Sequence, residues 1–200
     1  MKRSTLALSL IALGLASNAI AQESPWQVRV RAVHIDTANK SEAGALPANA
    51  ITVSNKTIPE LDISYFFTPH IAAELVLTVP QKHRVYLNGT DIGSFKHLPP
   101  TLTLQYHFTP HSTISPYVGA GVNYTRISGV SLANGAVTLE NDSVGFALQA
   151  GVDYKLDKNW SLNFDVKKVQ IRSDVYQNGA RISQVKIDPL LVGVGVGYRF

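Results

Sequence analysis

Nine charged residues lie at alternate positions within otherwise apolar segments, a spacing that brings acids and bases to one face of extended strands. The basic ones are Arg29, Arg31, Lys167 and Arg199, and the acidic ones are Glu60, Asp62, Glu74, Asp153 and Asp165. Inside a narrow protein interior they predict a network of ion pairs, because an unpaired buried charge is costly. A proton or ion path through the same residues is the alternative.

Eight segments alternate apolar and polar residues with the period of two that is typical of β-strands. They cover residues 26–35, 57–67, 71–83, 95–108, 116–127, 142–156, 160–172 and 182–200. In the last segment, Leu190 to Phe200 presents an unbroken apolar face at the end of the chain. A soluble edge strand of this kind would aggregate, whereas in a closed transmembrane barrel the same face contacts lipid. In the seventh segment the alternation changes phase at Lys167-Lys168, which predicts a bulge.

These segments predict an all-β fold, an eight-stranded antiparallel transmembrane β-barrel. Short turns at 68–70, 109–115 and 157–159 alternate with four longer loops at 36–56, 84–94, 128–141 and 173–181. In outer-membrane barrels the short turns are periplasmic and the long loops extracellular, so we expect both termini in the periplasm. The residues expected to form an aromatic girdle are Trp26, Phe67, Phe108, Tyr117, Tyr154, Trp160, Tyr198 and Phe200. The competing interpretation is that they are core aromatics of a soluble sandwich.

The beginning of the chain resembles a secretory signal peptide. Lys2 and Arg3 precede an apolar stretch at 6–15, and Ala19-Ile20-Ala21 forms a small-residue cleavage site. We therefore expect a cleaved signal peptide at 1–21 and a barrel domain at 22–200, located in the outer membrane of a Gram-negative bacterium. The net charge of +4 is too small and too scattered to indicate nucleic-acid binding.

Three prolines lie close together at the outer ends of two neighbouring predicted strands: Pro80, Pro99 and Pro100. Because proline donates no backbone hydrogen bond, they predict a gap in the barrel wall through which a solute leaves sideways. Simple strand termination is the alternative. The loop stretches at 43–53 and 129–139 contain no charged residue, so they either line an apolar mouth or extend the barrel as a β-rim.

Basic residues cluster at the outer ends of the same two strands: Lys82, His83, Arg84, Lys96 and His97. We expect Lys82, Arg84 and Lys96 to contact lipopolysaccharide phosphates. Neither a metal site nor a cofactor is predicted, since no carboxylate or cysteine is spaced to complete a site with the histidines. Ser94 beside one of these histidines is the sole candidate for a catalytic pair, and no motif supports it, so no enzyme is predicted.

Several motifs resemble the outer membrane protein W family, to which an alkane-uptake porin belongs. These stretches are His97-Leu98-Pro99-Pro100-Thr101-Leu102, Pro116 to Thr125, Gly151-Val152-Asp153-Tyr154, Asp188-Pro189 and Gly197-Tyr198-Arg199-Phe200. The resemblance implies an eight-stranded barrel that takes up small hydrophobic molecules passively and releases them laterally. It also implies that Val76 lies in the channel constriction. Lys167 departs from the family pattern, in which a large aromatic is expected.

The predicted function is therefore passive uptake of small hydrophobic solutes, with Val76, Pro80, Pro99, Pro100 and Lys167 at the channel and lateral exit. Expected partners are lipopolysaccharide, outer-membrane lipids and, through Tyr198-Arg199-Phe200, the barrel assembly machinery. The alternatives are a structural or adhesive barrel without transport, and a small ion-conducting pore.

Overall fold

The computed structural model describes residues 24–200, so the expected signal peptide at 1–21 lies outside the described residues. Within that range the chain forms fifteen strands and one short 3-10 turn, Ala133–Gly135. The strands are β1 (Trp26–Asp36), β2 (Lys40–Ser41), β3 (Ile51–Val53), β4 (Lys56–Phe66), β5 (Ile71–Leu77), β6 (Gln81–Leu87), β7 (Thr90–Leu98), β8 (Thr101–His107), β9 (Ile114–Leu132), β10 (Val137–Leu139), β11 (Asp142–Lys155), β12 (Trp160–Val169), β13 (Arg172–Gln177), β14 (Ala180–Lys186) and β15 (Leu190–Arg199).

Eight of these strands close into an antiparallel barrel in the order β1-β4-β5-β8-β9-β11-β12-β15. The last strand, β15, pairs with β12 on one side and with β1 on the other. This closure removes the free edge that the apolar terminal strand would otherwise expose. The predicted eight-stranded antiparallel barrel is therefore confirmed.

The remaining strands, β2, β3, β6, β7, β10, β13 and β14, join the end of β9 to form an extension of the barrel wall. All four long connections contribute to it, so segments that the sequence marks only as loops are partly β-structure. Two hairpins in the extension turn at Asn88-Gly89 and Asn178-Gly179, where all four residues have positive φ. Asn-Gly is the pair that such tight hairpin turns favour. We call this end the long-loop end and the opposite one the short-turn end.

The outside of the barrel is apolar, as the alternation predicts. Exposed large side chains include Val30, Leu61, Leu104, Phe146, Leu148, Leu162 and Val194. At the short-turn end the aromatic residues pack edge to face, with ring centroids 4.9 Å apart for Trp26–Tyr65 and for Trp160–Tyr198. No helix within residues 24–200 is long and apolar enough to cross a membrane.

Two details of the sequence interpretation are wrong. Tyr117 is not part of the exterior girdle, because its position in β9 turns it inward, where it is 1% exposed. The bulge at Lys167-Lys168 is also absent, since β12 pairs in unbroken register through Val169. The apparent phase change arises because the interior becomes apolar beyond Lys167, so Val169 faces inward although it resembles a lipid-facing residue.

The barrel interior has two different halves. Toward the short-turn end it is filled by charged and amide side chains, and toward the long-loop end by a cluster of apolar ones. The space on the polar side is tight: a Cβ added to Gly151 would lie 2.4 Å from the ring of Tyr117. Glycine at this position therefore lets a large side chain occupy the lumen.

Candidate functional site

Arg29 lies in the polar half of the lumen, and its side chain is fully buried. Its guanidinium binds Glu74 at 2.9 Å and Asp153 at 2.7 Å. The Asp153 contact uses two nitrogens and both carboxylate oxygens, the bidentate geometry that makes arginine pairs strong. The strands β1, β5 and β11 supply the three residues, so the pairs connect distant parts of the wall.

Arg31, two residues further along the same face of β1, contacts four carboxylates. It lies 2.8 Å from Glu74, 2.9 Å from Asp62, 3.1 Å from Asp165 and 3.7 Å from Glu60. Because side chains two apart share a face of a strand, both arginines point into the lumen, where they share Glu74.

Lys167 is the third base of this region, with its ammonium 3.6 Å from Glu60 and 3.9 Å from Asp165. The structure thus joins eight of the predicted charges into one set of ion pairs. We call it the charge network: Arg29, Arg31, Lys167, Glu60, Asp62, Glu74, Asp153 and Asp165. It contains three bases and five acids, an excess of negative charge.

Arg199, the remaining base predicted for the network, lies at the short-turn end. Its guanidinium stacks 4.1 Å over the ring of Phe66, and its Nε donates to the carbonyl of Ser24. As the last residue of β15, it lies nearer the short-turn end than the central ion pairs.

Two neutral residues that the sequence did not place in the network complete it. Gln149 donates to Glu74 at 2.8 Å and to Asp165 at 2.7 Å. The Tyr117 hydroxyl donates to Asp165 at 2.8 Å, and Arg29 lies 5.5 Å over its ring. Their positions on the inward-facing sides of β11 and β9 could have identified them from the sequence as residues of the lumen. Together with the ion pairs, these bonds close the lumen on the short-turn side.

Next to the network, toward the long-loop end, lies a small cavity that we call the lower cavity. Its volume of about 20 Å³ is room for a single water molecule. It is lined by Ile35, Ile58, Glu60, Val76, Thr78, His97, Pro99, Thr101, Lys167, Val169, Ile171, Pro189 and Leu191. Val76, Pro99 and Lys167 therefore meet at one site, whereas Pro80 is exposed and does not line it.

The wall beside the lower cavity is interrupted. Pairing of β5 with β8 ends at Val76–Thr101, and pairing of β6 with β7 begins at Gln81–His97. The intervening residues include Pro80, Pro99 and Pro100, which lack the N–H that a ladder needs. The structure thus brings the three predicted prolines to one break in the wall.

The same stretch is also poorly joined to its other neighbour. Pairing of β4 with β5 ends at Leu61–Leu77, and β3 pairs with β6 from Val53–Val85, beyond which the Ser54 N–H donates to the Arg84 carbonyl at 3.0 Å. Across this space the Thr78 hydroxyl donates to the carbonyl of Pro59 at 3.4 Å. Pro59 is a fourth proline at this break.

A second break, between β12–β13 and β14–β15, is closed by hydrogen bonds. Val169 donates to the Pro189 carbonyl at 3.2 Å, and Ile187 donates to the Ile171 carbonyl at 3.0 Å. The side chain of Asp188 accepts from the Ile171 N–H at 2.9 Å. Because the ladder continues here, the break near Pro80 is the weaker part of the wall.

Above the lower cavity, the extension encloses an upper cavity of about 20 Å³. Apart from Ser173 its lining is apolar: Ile51, Val53, Val85, Ile92, Phe95, Leu132, Val137, Leu139, Val175, Val185 and Ile187. Several of these belong to the uncharged loop stretches, which therefore both line an apolar mouth and build a β-rim.

The side chains of His83 and His97 point into the inside of the barrel extension and are fully buried. The expectation that they cluster with the outer basic residues is therefore wrong. They occupy the opposite phase of β6 and β7 from Lys82 and Lys96. Their rings lie 4.6 Å apart. Burial lowers the pKa of His97 to about 3, with a further contribution from the charge of His83, and burial also lowers the pKa of His83. Both imidazoles are therefore neutral near pH 7.

Lys82, Arg84 and Lys96 point outward in the extension and are exposed. Lys82 and Lys96 are direct cross-strand partners, which concentrates positive charge on the outer face. Arg84 instead forms an ion pair with Asp91 of the same hairpin.

Comparison with known proteins agrees with this architecture. The family model described as the OmpW family matches residues 22–200. The chain belongs to the OmpW family. It is 45% identical over 184 residues to the uncharacterized outer-membrane protein y4mB of Sinorhizobium fredii, with 88% of this chain and 80% of the relative covered.

Two further similar proteins are informative. The dibenzothiophene metabolism operon protein DoxH of a Pseudomonas species is 26% identical over 211 residues, with both chains fully covered. The crystal structure of the outer membrane protein OprG from Pseudomonas aeruginosa superposes with a TM-score of 0.78 at 28% identity, covering 89% of this chain and 97% of that one. This OmpW-family chain is accordingly an outer-membrane β-barrel.

Proposed function

We propose that this barrel is a passive channel for small hydrophobic molecules that releases them sideways through its wall. The proposal depends on one observation. The lower cavity lies directly against the break near Pro80, which, unlike the break near Asp188, is not closed by backbone hydrogen bonds. Thr78 and Pro99 belong to both the cavity lining and the break. A solute in that cavity is separated from lipid by one layer of wall that lacks a hydrogen-bond ladder.

The proposed path begins at the long-loop end. A solute enters the upper cavity, whose apolar lining favours apolar surface over water. It continues into the lower cavity and meets the charge network, where Lys167 and Glu60 form the floor. Because entering the ion pairs would require breaking buried contacts, the solute leaves through the break near Pro80 instead.

Both cavities are small, so transport requires side chains and the wall break to move. The unsealed ladder supplies that freedom, since stretches with few backbone hydrogen bonds open at low free-energy cost. A hydrophobic cargo also agrees with the relative DoxH, which is named for dibenzothiophene metabolism. No energy source is needed, because transport follows the concentration gradient of the solute.

Orientation and partners form part of the same proposal. The long-loop end faces outward and both termini face the periplasm, after removal of residues 1–21 as a signal peptide. Lys82 and Lys96 contact lipopolysaccharide phosphates, and Arg84 contributes less because Asp91 already binds it. The terminal residues Tyr198-Arg199-Phe200 bind the barrel assembly machinery. No enzymatic role is part of the proposal.

The test restores ladder donors at the break with the double variant Pro80→Val and Pro99→Val. We expect slower uptake of naphthalene across the outer membrane of whole cells, with the barrel still folded. The matched control is Pro116→Val, which changes an exposed proline of β9 near the short-turn end.

Three outcomes separate the possibilities. Unchanged uptake in the double variant removes the lateral exit. Equal uptake with and without the wild-type protein removes transport altogether and leaves a structural or adhesive barrel. Slower uptake in the Pro116→Val control as well would show that the effect is not specific to the break.

A further inference from the structure

His97 is a buried polar side chain without a polar partner in the protein. Neither of its ring nitrogens has a hydrogen-bond partner among the described residues, and the side chain lines the lower cavity. Its neighbour His83 donates from Nδ1 to the Ser54 carbonyl at 2.7 Å, but its Nε2 also lacks a partner among the described residues. Buried polar groups are nearly always hydrogen-bonded, so unpartnered nitrogens beside a cavity indicate a ligand.

The hydrogen-bonding capacity of His97 defines the group that it would bind. A neutral imidazole offers one N–H donor and one nitrogen acceptor, and a hydroxyl group both donates and accepts. Around the histidine the cavity is otherwise mostly apolar, with Ile35, Val76 and Ile171 in its lining. The site therefore combines one polar contact with a hydrophobic wall.

Charge argues against an anionic ligand. The network below the cavity holds three bases and five acids, and its members Glu60 and Lys167 line the cavity as an ion pair at 3.6 Å, so that the charge beyond this pair is negative. A carboxylate entering the cavity would approach this excess of negative charge in a medium of low dielectric constant. A neutral hydroxyl carries no such penalty.

We propose that the lower cavity binds the hydroxyl group of neutral hydrophobic alcohols or phenols through His97. The inference rests on the proposed transport function and names a cargo class for it, hydroxylated hydrophobes in preference to plain hydrocarbons. The apolar body of the solute contacts Val76 and Ile171 while its hydroxyl pairs with the imidazole.

The test uses a pair of probes that differ by one hydroxyl, naphthalene and 2-naphthol. Full-length protein in lipid nanodiscs, with ¹⁵N-labelled histidines, is titrated with each probe. We expect 2-naphthol to shift the ring nitrogens of His97 and naphthalene to leave them unshifted. In the variant His97→Phe the affinity for 2-naphthol should fall about tenfold, the effect of one lost hydrogen bond, with naphthalene unchanged.

Two further variants keep the test interpretable. His97→Gln retains one donor and one acceptor and should recover most of the 2-naphthol affinity. His34→Phe is the control, because the His34 side chain is exposed on the outer face of β1, is not part of the cavity lining, and is hydrogen-bonded to Thr57. Equal 2-naphthol affinity in wild type and His97→Phe, with His97→Phe folded, overturns the proposal and assigns the unpartnered nitrogens to resident water.

Uptake by whole cells distinguishes failure of this inference from failure of the transport proposal. If wild type accelerates entry of both probes and His97→Phe slows only 2-naphthol, the assignment is supported. If both probes enter faster and His97→Phe slows neither, the hydroxyl site is wrong while transport stands. If wild type accelerates neither probe, transport itself fails.

Discussion

Replacing Arg31 by methionine is the sharpest test of the charge network. The substitution keeps an unbranched apolar stem but removes the guanidinium that contacts four carboxylates. Three of these acids keep other partners: Glu74 keeps Arg29, and Glu60 and Asp165 keep Lys167. Asp62, fully buried, has no other ion pair among the described contacts.

The expected cost follows from this orphaned carboxylate. Removing one partner of a buried ion pair destabilises a protein by about 3 to 5 kcal/mol, because the remaining charge stays out of water. Changing Asp62 to asparagine in the same chain removes that charge. The double variant Arg31→Met with Asp62→Asn should therefore regain on the order of 1 to 3 kcal/mol relative to Arg31→Met alone.

Unfolding by urea in lipid vesicles measures this difference. The two tryptophans, Trp26 and Trp160, lie exposed at the short-turn end and report the loss of their lipid environment by fluorescence. The control is Arg126→Met, which removes an exposed arginine and should change stability by less than about 0.5 kcal/mol.

Two results would refute the reasoning. One is an Arg31→Met midpoint equal to that of wild type, which would mean that the lumen is hydrated enough to solvate Asp62. The other is a double variant no more stable than Arg31→Met, which would place the damage in packing and not in charge.

Three more predictions follow from the interior. Gly151→Val should cost about 1 to 3 kcal/mol because its side chain would overlap Tyr117, whereas Ala150→Val on the lipid face should be neutral in the same urea assay. As the pH falls below 6.5, the usual pKa of histidine, His97 takes up a proton in the unfolded extension but stays neutral in the folded one until the pH nears its lowered pKa. The free energy of unfolding of the extension, fully present above pH 6.5, therefore decreases by about 2 kcal/mol by pH 5. The exchange free energies of amides in β6 and β7, which are corrected for the intrinsic pH dependence of exchange, should fall accordingly, and pH-independent exchange free energies would contradict this. In planar bilayers the wild-type protein should show no stable porin-like conductance, because the charge network closes the lumen; a large steady current would contradict the closed lumen.

The alternation of residues was enough to predict the barrel. A long apolar face exposed to water would cause aggregation. The alternating apolar residues from Leu190 to Phe200 therefore already implied that one face contacts lipid and that the sheet is closed. Strand number and the inward positions of Arg29 and Arg31 follow from the same period of two, and antiparallel order follows from the short turns between the strands. These features depend on local spacing, which a sequence contains directly.

The alternation failed where the interior changed character. Beyond Lys167 the lumen is apolar, so Val169 and the histidines could not be assigned to inside or outside by hydrophobicity alone. For the same reason the strands of the extension were predicted as loops, although the Asn-Gly pairs at Asn88 and Asn178 indicate tight hairpin turns.

The sequence by itself therefore determined which residues share a face, and with it the class of fold and the presence of charges in the lumen. Only the tertiary structure decided which acid meets which base, that one proline break is closed by Asp188 while the other remains unsealed, and that His97 faces a cavity. The physical reason is that these properties depend on register between strands far apart in the chain, and a period of two is the same in every register.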